Sequence, residues 1–282
     1  MQNPLKNTRL VATDLDGTFL KNDKTISPKN LEALHLLGGK NIVRVAATGR
    51  NMKKVHDVLA PETPFDYIVY SSGAGIFDWK NQQNIYSCNL ARHSVQKLLK
   101  YFIGEKVNFH AFFPVPDNHQ HWYFRGENPC EEFERYFTYN QSFAYELDVN
   151  SLPVTEMCQF LVIIPENEER FAKLKSDIES VCPEIRVIRA SSPITKGFIW
   201  AEVFHHSVSK GNGIKHICNI YGIDSEMTLG IGNDYNDFDL LEFTAHSFFM
   251  TTRPSSNESR EEVHKVFVTF DNQKTGIFSI LF

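Results

Sequence analysis

The chain has 282 residues, of which 42% are hydrophobic and 22% charged, and it carries a formal net charge of -5 at neutral pH. That length fits one large or two ordinary domains, the composition is that of a globular protein, and no apolar run is long enough to cross a bilayer. A negative balance without a basic tract argues against nucleic acid as a partner, since such binding neutralises phosphates with clustered Lys and Arg.

The first six residues, Met1 to Lys6, lack the apolar core of a secretory signal. Five cysteines, Cys88, Cys130, Cys158, Cys182 and Cys218, are scattered with no pair at metal-ligand spacing. Free thiols in the cytoplasm are the expectation.

In chain order, Arg9 to Thr13 reads as a buried strand that ends in two carboxylates, Asp14 and Asp16, followed by Gly17, which can turn the chain sharply. Ser27-Pro28 starts a helix, a hydroxyl cap followed by proline at the first position, and Gly38-Gly39 stops it. Residues 41–47 form a second strand ending in Thr48-Gly49-Arg50, and a helix follows over residues 51–59. Residues 67–70 are a third strand, ending in Ser71-Ser72-Gly73-Ala74-Gly75. Strand and helix alternating in this way predict an α/β fold with a doubly wound, Rossmann-like parallel sheet.

From about Trp79 to Arg189 the rhythm changes to closely spaced strands at residues 108–113, 121–124, 157–164 and 185–188, with one helix over 167–181. This predicts an inserted α+β domain over residues 80–189, between core segments 1–79 and 190–282. The core is expected to resume with a strand at 198–204, a helix opening near Ser209-Lys210-Gly211, and a strand at 228–231 that ends in Gly232-Asn233-Asp234-Tyr235-Asn236-Asp237. Residues 245–250 and 266–269 read as edge strands.

Four strand ends or loops thus carry polar chemistry: Asp14 and Asp16, Thr48, Lys210, and the loop from Asn233 to Asp237. In an open parallel sheet ligands bind beyond the carboxyl ends of the strands, so these remote positions would converge. The set Asp14-Leu15-Asp16-Gly17-Thr18, Ala47-Thr48-Gly49-Arg50, Val208-Ser209-Lys210-Gly211 and Gly232 to Asp237 resembles, in order, the four motifs of the haloacid dehalogenase superfamily. The match is closer still to its Cof-type, subfamily IIB sugar-phosphate phosphatases, whose C2-type cap lies at the position of the insertion.

The resemblance implies a Mg2+-dependent phosphatase acting on a small phosphorylated metabolite, with no obligate protein partner. Asp14 would attack phosphorus and form an aspartyl-phosphate, and Asp16 would serve as general acid and base. Thr48 and Lys210 would hold the phosphoryl oxygens, assisted by Leu15, Gly17, Gly49 and Asn236. The ion would lie on Asp14, the Asp16 main chain and Asn233, with Asp237 behind them or reaching it through water. The inserted domain would select the substrate.

One position departs from the pattern: Asn233 stands where the superfamily loop carries its first, directly ligating aspartate, so either this amide oxygen or Asp234 is left to fill the place. Two other readings stay open, a phosphomutase of the same superfamily and a protein that binds phosphorylated metabolites without turning them over. Arg50 could pair with a substrate anion or a neighbouring acid, and Glu202 with substrate or Lys210, or with neither. His119 and His121 alternate at strand spacing without an evident third ligand, so no zinc site is expected there.

Overall fold

The structure is a computed structural model and describes residues 6–250 and 268–270. Of the expected edge strand at 266–269, Val266 and Phe267 lie outside the described residues. The chain divides into two compact units, Met1–Tyr86 with Ser209–Phe282, and Ser87–Val208.

In chain order the elements are β1 (Leu10–Thr13), α1 (Pro28–Gly39), β2 (Val43–Ala47), α2 (Met52–His56), β3 (Tyr67–Tyr70), β4 (Gly75–Asp78), β5 (Gln83–Ser87), α3 (Arg92–Gly104), β6 (Phe109–Phe112), β7 (His121–Phe124), α4 (Glu131–Asn140), β8 (Ala144–Glu146), β9 (Gln159–Pro165), α5 (Glu168–Val181), β10 (Ile185–Ser191), β11 (Phe198–His205), α6 (Lys210–Tyr221), β12 (Thr228–Gly232), α7 (Phe238–Phe243), β13 (His246–Met250) and β14 (Val268–Phe270).

The first unit is built on a sheet of order β14-β13-β12-β1-β2-β3-β4-β5. It is parallel from β14 to β3, and β4 then turns back antiparallel to β3. β1 lies between β12 and β2 and all four of its residues are buried, as its unbroken apolar run requires of a strand covered on both faces. Leu10, Ala12, Val45, Ala47 and Val69 form one core cluster with Ile214, Ile217 and Cys218 of α6 and Leu240 of α7. Each fully buried aliphatic side chain of this size contributes roughly 1.5–3 kcal/mol, so the cluster anchors α6 firmly on the sheet. The predicted cap of α1 is present: the Ser27 hydroxyl accepts from the Asn30 amide at 3.1 Å, and Pro28 follows.

The second unit has its own sheet, of order β10-β11-β9-β6-β7-β8, antiparallel throughout except for the β7–β8 pair. Its main core places Phe109, Phe160, Val162, Ile199 and Val203 with Leu98, Leu99 and Phe102 of α3 and Phe171 and Ile178 of α5. The strand at Phe198–His205, expected in the first domain, pairs with β9 and β10 and belongs to this second sheet. Its run from Ala201 to Phe204, buried without a break, suits either sheet, and only its partners decide. The boundaries therefore fall at Tyr86 and Val208 rather than near residues 79 and 190.

Candidate active site

Because β12, β1, β2 and β3 run parallel, their carboxyl ends share one edge of the sheet, and each is followed by a polar loop. Asp14 extends the ladder of β1: its amide donates to the Ile231 carbonyl at 2.8 Å. Its side chain is 7% exposed, and its Oδ1 accepts from Lys210 Nζ at 2.7 Å.

Lys210 opens α6, where the Ser209 hydroxyl caps the helix by accepting from the Asn212 amide at 3.0 Å. The helix dipole disfavours a cation at this end. Two buried carboxylates hold it there nonetheless, since Nζ also donates to Asp237 Oδ1 at 2.6 Å and to Asn236 Oδ1 at 3.3 Å. The other Asp237 oxygen accepts from the amides of Asn233, at 2.8 Å, and Asp234, at 3.0 Å, and so folds the β12 loop around itself.

One buried ammonium thus faces two buried carboxylates. Burial would strip Lys210 of its proton, but Asp14 and Asp237 outweigh it and hold the amine protonated, above its ordinary value. For Asp14 burial is the foremost influence and pushes its carboxyl up; Lys210 opposes, Asp237 and Asp16 reinforce, and the result is about 8. With its carboxyl at about 8, Asp14 largely keeps its proton at neutral pH and the cluster is near charge balance; a cation bound beside it would favour the ionised form.

The donors present fit a hard divalent ion. Oδ2 of Asp14 accepts no hydrogen bond among the described residues, and the Asp16 carbonyl and Asn233 Oδ1 are oxygen donors of the same kind. Asn233 is fixed by the Thr18 hydroxyl, which donates to its Oδ1 at 3.2 Å, and by Gly17, whose φ of +80° and close approach leave no room for a side chain: a Cβ would stand 2.4 Å from Asn233 Nδ2. Asp237 is different. Both its oxygens are already engaged by Lys210 and two amides, so it anchors the loop and the lysine, and could reach an ion only through water.

Asp16 is partnered in a way the sequence did not reveal. Arg50 grips it with a two-pronged guanidinium, Nε to Oδ2 at 2.6 Å and Nη2 to Oδ1 at 2.8 Å, and Lys24 adds a third contact at 2.7 Å. Burial alone would raise this carboxyl, but the Arg50 hydrogen bonds and charge, with Lys24 behind them, bring it down to about 2. In this arrangement Asp16 is a carboxylate and has no proton to give. Of the two readings left open for Arg50, pairing with a neighbouring acid is the one observed; Glu202 lies buried in the second unit.

Thr48 is 1% exposed, and its hydroxyl oxygen accepts from the Arg50 amide at 3.2 Å, which leaves its hydrogen to donate elsewhere. The helix behind it is capped by Asn51, whose side chain accepts from the Lys54 amide at 2.9 Å, so Thr48 is not needed as a cap. The loop after β3 then clamps both neighbours. The amides of Ser71 and Ser72 donate to the carbonyls of Arg50, at 2.8 Å, and Thr48, at 3.0 Å. Ser71, Ser72 and Gly73 all have positive φ, 49°, 55° and 103°. A Cβ on Gly73 would fall 2.2 Å from the Ser209 carbonyl oxygen, so this backbone seats directly against the residue that caps the Lys210 helix. The small polar cluster was visible in the sequence, but its clamping role was not.

A family model described as haloacid dehalogenase-like hydrolase matches residues 11–281. Among curated relatives, the 5-amino-6-(5-phospho-D-ribitylamino)uracil phosphatase YitU of Bacillus subtilis is 24% identical over 83% of this chain and 83% of its own. A second phosphatase of that name from the same organism, YwtE, is 21% identical over 95% of each. Among solved structures, the haloalkanoate-superfamily phosphatase BT1666 of Bacteroides thetaiotaomicron superposes with a TM-score of 0.74 at 17% identity, covering 97% of this chain and 94% of its own. The subclass IIB sugar phosphatase BT4131 superposes with a TM-score of 0.68 at 22% identity, covering 97% and 98%. With the family model spanning nearly the whole sequence over a parallel sheet that presents Asp14, Thr48, Lys210 and Asp237 on the expected loops, the chain belongs to the haloacid dehalogenase-like hydrolases.

Proposed function

We propose that the chain is a Mg2+-dependent phosphatase that hydrolyses monoesters of small phosphorylated metabolites, sugar phosphates foremost, through an aspartyl-phosphate, with the inserted unit choosing the substrate. The observation that carries this reading is the buried Asp14–Lys210–Asp237 triad, which fixes one carboxylate oxygen on the ammonium and leaves the other free of hydrogen bonds among the described residues. That geometry aims a nucleophile and places a cation beside it.

Oδ2 of Asp14 forms a bond to phosphorus as the ester oxygen departs. Lys210, the Thr48 hydroxyl and the amides of the Leu15–Gly17 turn and Gly49 take up the charge that spreads over the phosphoryl oxygens, and Asn236 orients them. Asp16 gives its proton to the leaving oxygen; a water then attacks phosphorus, Asp16 takes that proton back, and inorganic phosphate leaves Asp14 as a free carboxylate. The salt bridge to Arg50 has to open before Asp16 can carry a proton, so substrate binding competes with that pairing. Mg2+, when bound by Asp14, the Asp16 carbonyl and Asn233, would supply charge neutralisation between nucleophile and phosphoryl group.

The test is release of inorganic phosphate from a panel of phosphate monoesters with Mg2+ and with a chelator, sugar phosphates and a ribityl phosphate included. Metal-dependent release that disappears in Asp14→Asn while the variant still folds, judged by a cooperative unfolding transition, is the expected result. Neutral Asn233 and the sequestered Asp16 favour one rival, a binder without turnover. Saturable binding of a phosphorylated metabolite with no release from the whole panel would establish it instead.

A further inference from the structure

The second unit contains a cluster that the proposed hydrolysis does not use. His93, in the first turn of α3, Cys182, just past α5, and Glu184, just before β10, each offer one ligand atom, and these lie within 4.8 Å of one another. Among the described residues it is the group of His, Cys, Asp and Glu side chains close enough to hold an ion through three of them. The two segments that carry these residues, at His93 and at Cys182 to Glu184, are far apart in the sequence and no Cys-x-x-Cys spacing announces the cluster.

The hydroxyl of Ser94 sits among the three. It lies 3.2 Å from His93 Nε2, donates to Glu184 Oε2 at 2.9 Å, and receives the Cys182 thiol at 3.5 Å. His93 Nε2 and Glu184 Oε2 are themselves 2.6 Å apart. A thiol, an imidazole and a carboxylate converging on one small hydroxyl form a compact polar centre whose protons occupy the middle. The Glu184 backbone is pinned, because its carbonyl accepts from the His206 amide at 2.8 Å. Cys182 is 1% exposed, whereas the side chains of His93 and Glu184 are 57% and 44% exposed, so one wall is fixed and the other opens to solvent.

We propose that His93, Cys182 and Glu184 form a second metal site, selective for a zinc-class divalent ion rather than Mg2+. Thiolate sulfur and imidazole nitrogen are donors that Zn2+ accepts and Mg2+ binds poorly, and the carboxylate oxygen suits either ion, so the first two set the preference. Tetrahedral zinc with bonds of about 2.0–2.3 Å sets its donors about 3.3–3.8 Å apart, so on binding the 2.6 Å between His93 and Glu184 has to open while the spread of the three, within 4.8 Å, closes. The fourth position is left to water on the exposed side. Binding replaces the thiol proton: a Zn–S bond forms, the S–H bond breaks, and one proton passes to solvent. The bound ion adds a tie between the start of α3 and the junction of α5 and β10, beside the apolar packing of Val95, Leu98, Ile178 and Ile185.

The experiment uses the full-length chain, stripped with a chelator and titrated with Co2+ in excess Mg2+. The expected result is one Co2+ per chain with a thiolate-to-cobalt charge-transfer absorption, reversed by Zn2+ and accompanied by release of about one proton. Cys182→Ser should abolish the absorption, and Cys88→Ser should leave it intact. His93→Ala removes an exposed side chain and spares the core, so it tests the site even if Cys182→Ser folds poorly; it should weaken Co2+ binding roughly tenfold or more. Absence of a thiolate band, a band that survives Cys182→Ser, or unchanged affinity in His93→Ala would each overturn the assignment.

Discussion

Replacing Lys210 by methionine keeps the length of the side chain and removes its charge, and the structure says what that leaves behind. Lys210 is 1% exposed and its ammonium is shared by Asp14 Oδ1 and Asp237 Oδ1, themselves 7% and 0% exposed. Deleting one partner of a buried ion pair strands the other, at a cost of about 3–5 kcal/mol. Here two carboxylates are stranded, so Lys210→Met should lose at least that much in urea unfolding measured with chelator present. Adding Asp237→Asn removes one of the stranded charges, and the double variant should regain about half of the loss, because the two sites share an interaction and cannot be additive. Activity behaves differently: both variants should fall by roughly 100-fold or more in phosphate release, since neither keeps the Lys210 ammonium on the phosphoryl oxygens. A single variant destabilised by under about 1 kcal/mol, or a double variant less stable than the single, would refute the shared-ammonium reading.

Gly73→Ala adds one methyl where φ is +103° and the Ser209 carbonyl oxygen would be 2.2 Å away; a loss of about 2 kcal/mol or more and a matching fall in phosphate release should follow, read from unfolding midpoints and activity together. Restoring charge with Asn233→Asp should lower the Mg2+ concentration needed for half-maximal phosphate release; an unchanged metal response would show that Asp234 already serves. His110 is fully buried, with neither ring nitrogen hydrogen-bonded among the described residues, and burial foremost, then His121 and Arg125, holds its pKa well below the usual imidazole range. The unfolded chain takes up that proton below about pH 6.5 and the folded chain does not, so stability should fall with acidification by up to about 1.4 kcal/mol per pH unit from this group. In His110→Phe that contribution disappears, and calorimetry at pH 7 and pH 5 should show a smaller difference than in the parent.

The order of the first-unit elements was legible because each link has a local cause. An apolar run of four or five residues, buried on both faces, can only be an interior strand, and Ser27-Pro28 and Ser209 cap helices by chemistry that depends on near neighbours. The second unit was harder to read for a physical reason. In α4 the apolar stripe is supplied by the aromatic residues Phe133 and Tyr136, which also suit strands, so periodicity alone did not separate it from the neighbouring β7, whereas the stripe of α3 at Val95, Leu98, Leu99 and Phe102 has plain helical spacing. The strand at Phe198–His205 fails in the same way, since its sequence fits either sheet and register with β9 and β10 is a long-range fact.

The site divides along the same line. Asp14, Thr48 and Lys210 could be found because each ends or begins an element, and the parallel sheet then brings their loops to one edge without further information. What those groups do to one another depends on side-chain directions that no spacing encodes. Asp237 looks like one more acid in an acidic loop, yet its two oxygens organise Lys210 and the loop backbone at once. Arg50 looks like a residue waiting for an anionic substrate, yet the anion it holds is Asp16. That pairing gives the fold a reason to keep an arginine beside the loop carrying Thr48. The guanidinium neutralises the Asp16 carboxylate and spares Asp14 the full repulsion of a bare neighbour. On the proposed mechanism, a phosphoryl group entering the site would offer Arg50 a competing anion, and the carboxylate it released would then be free to take up a proton. The contact that keeps Asp16 ionised would thereby make its protonation conditional on substrate.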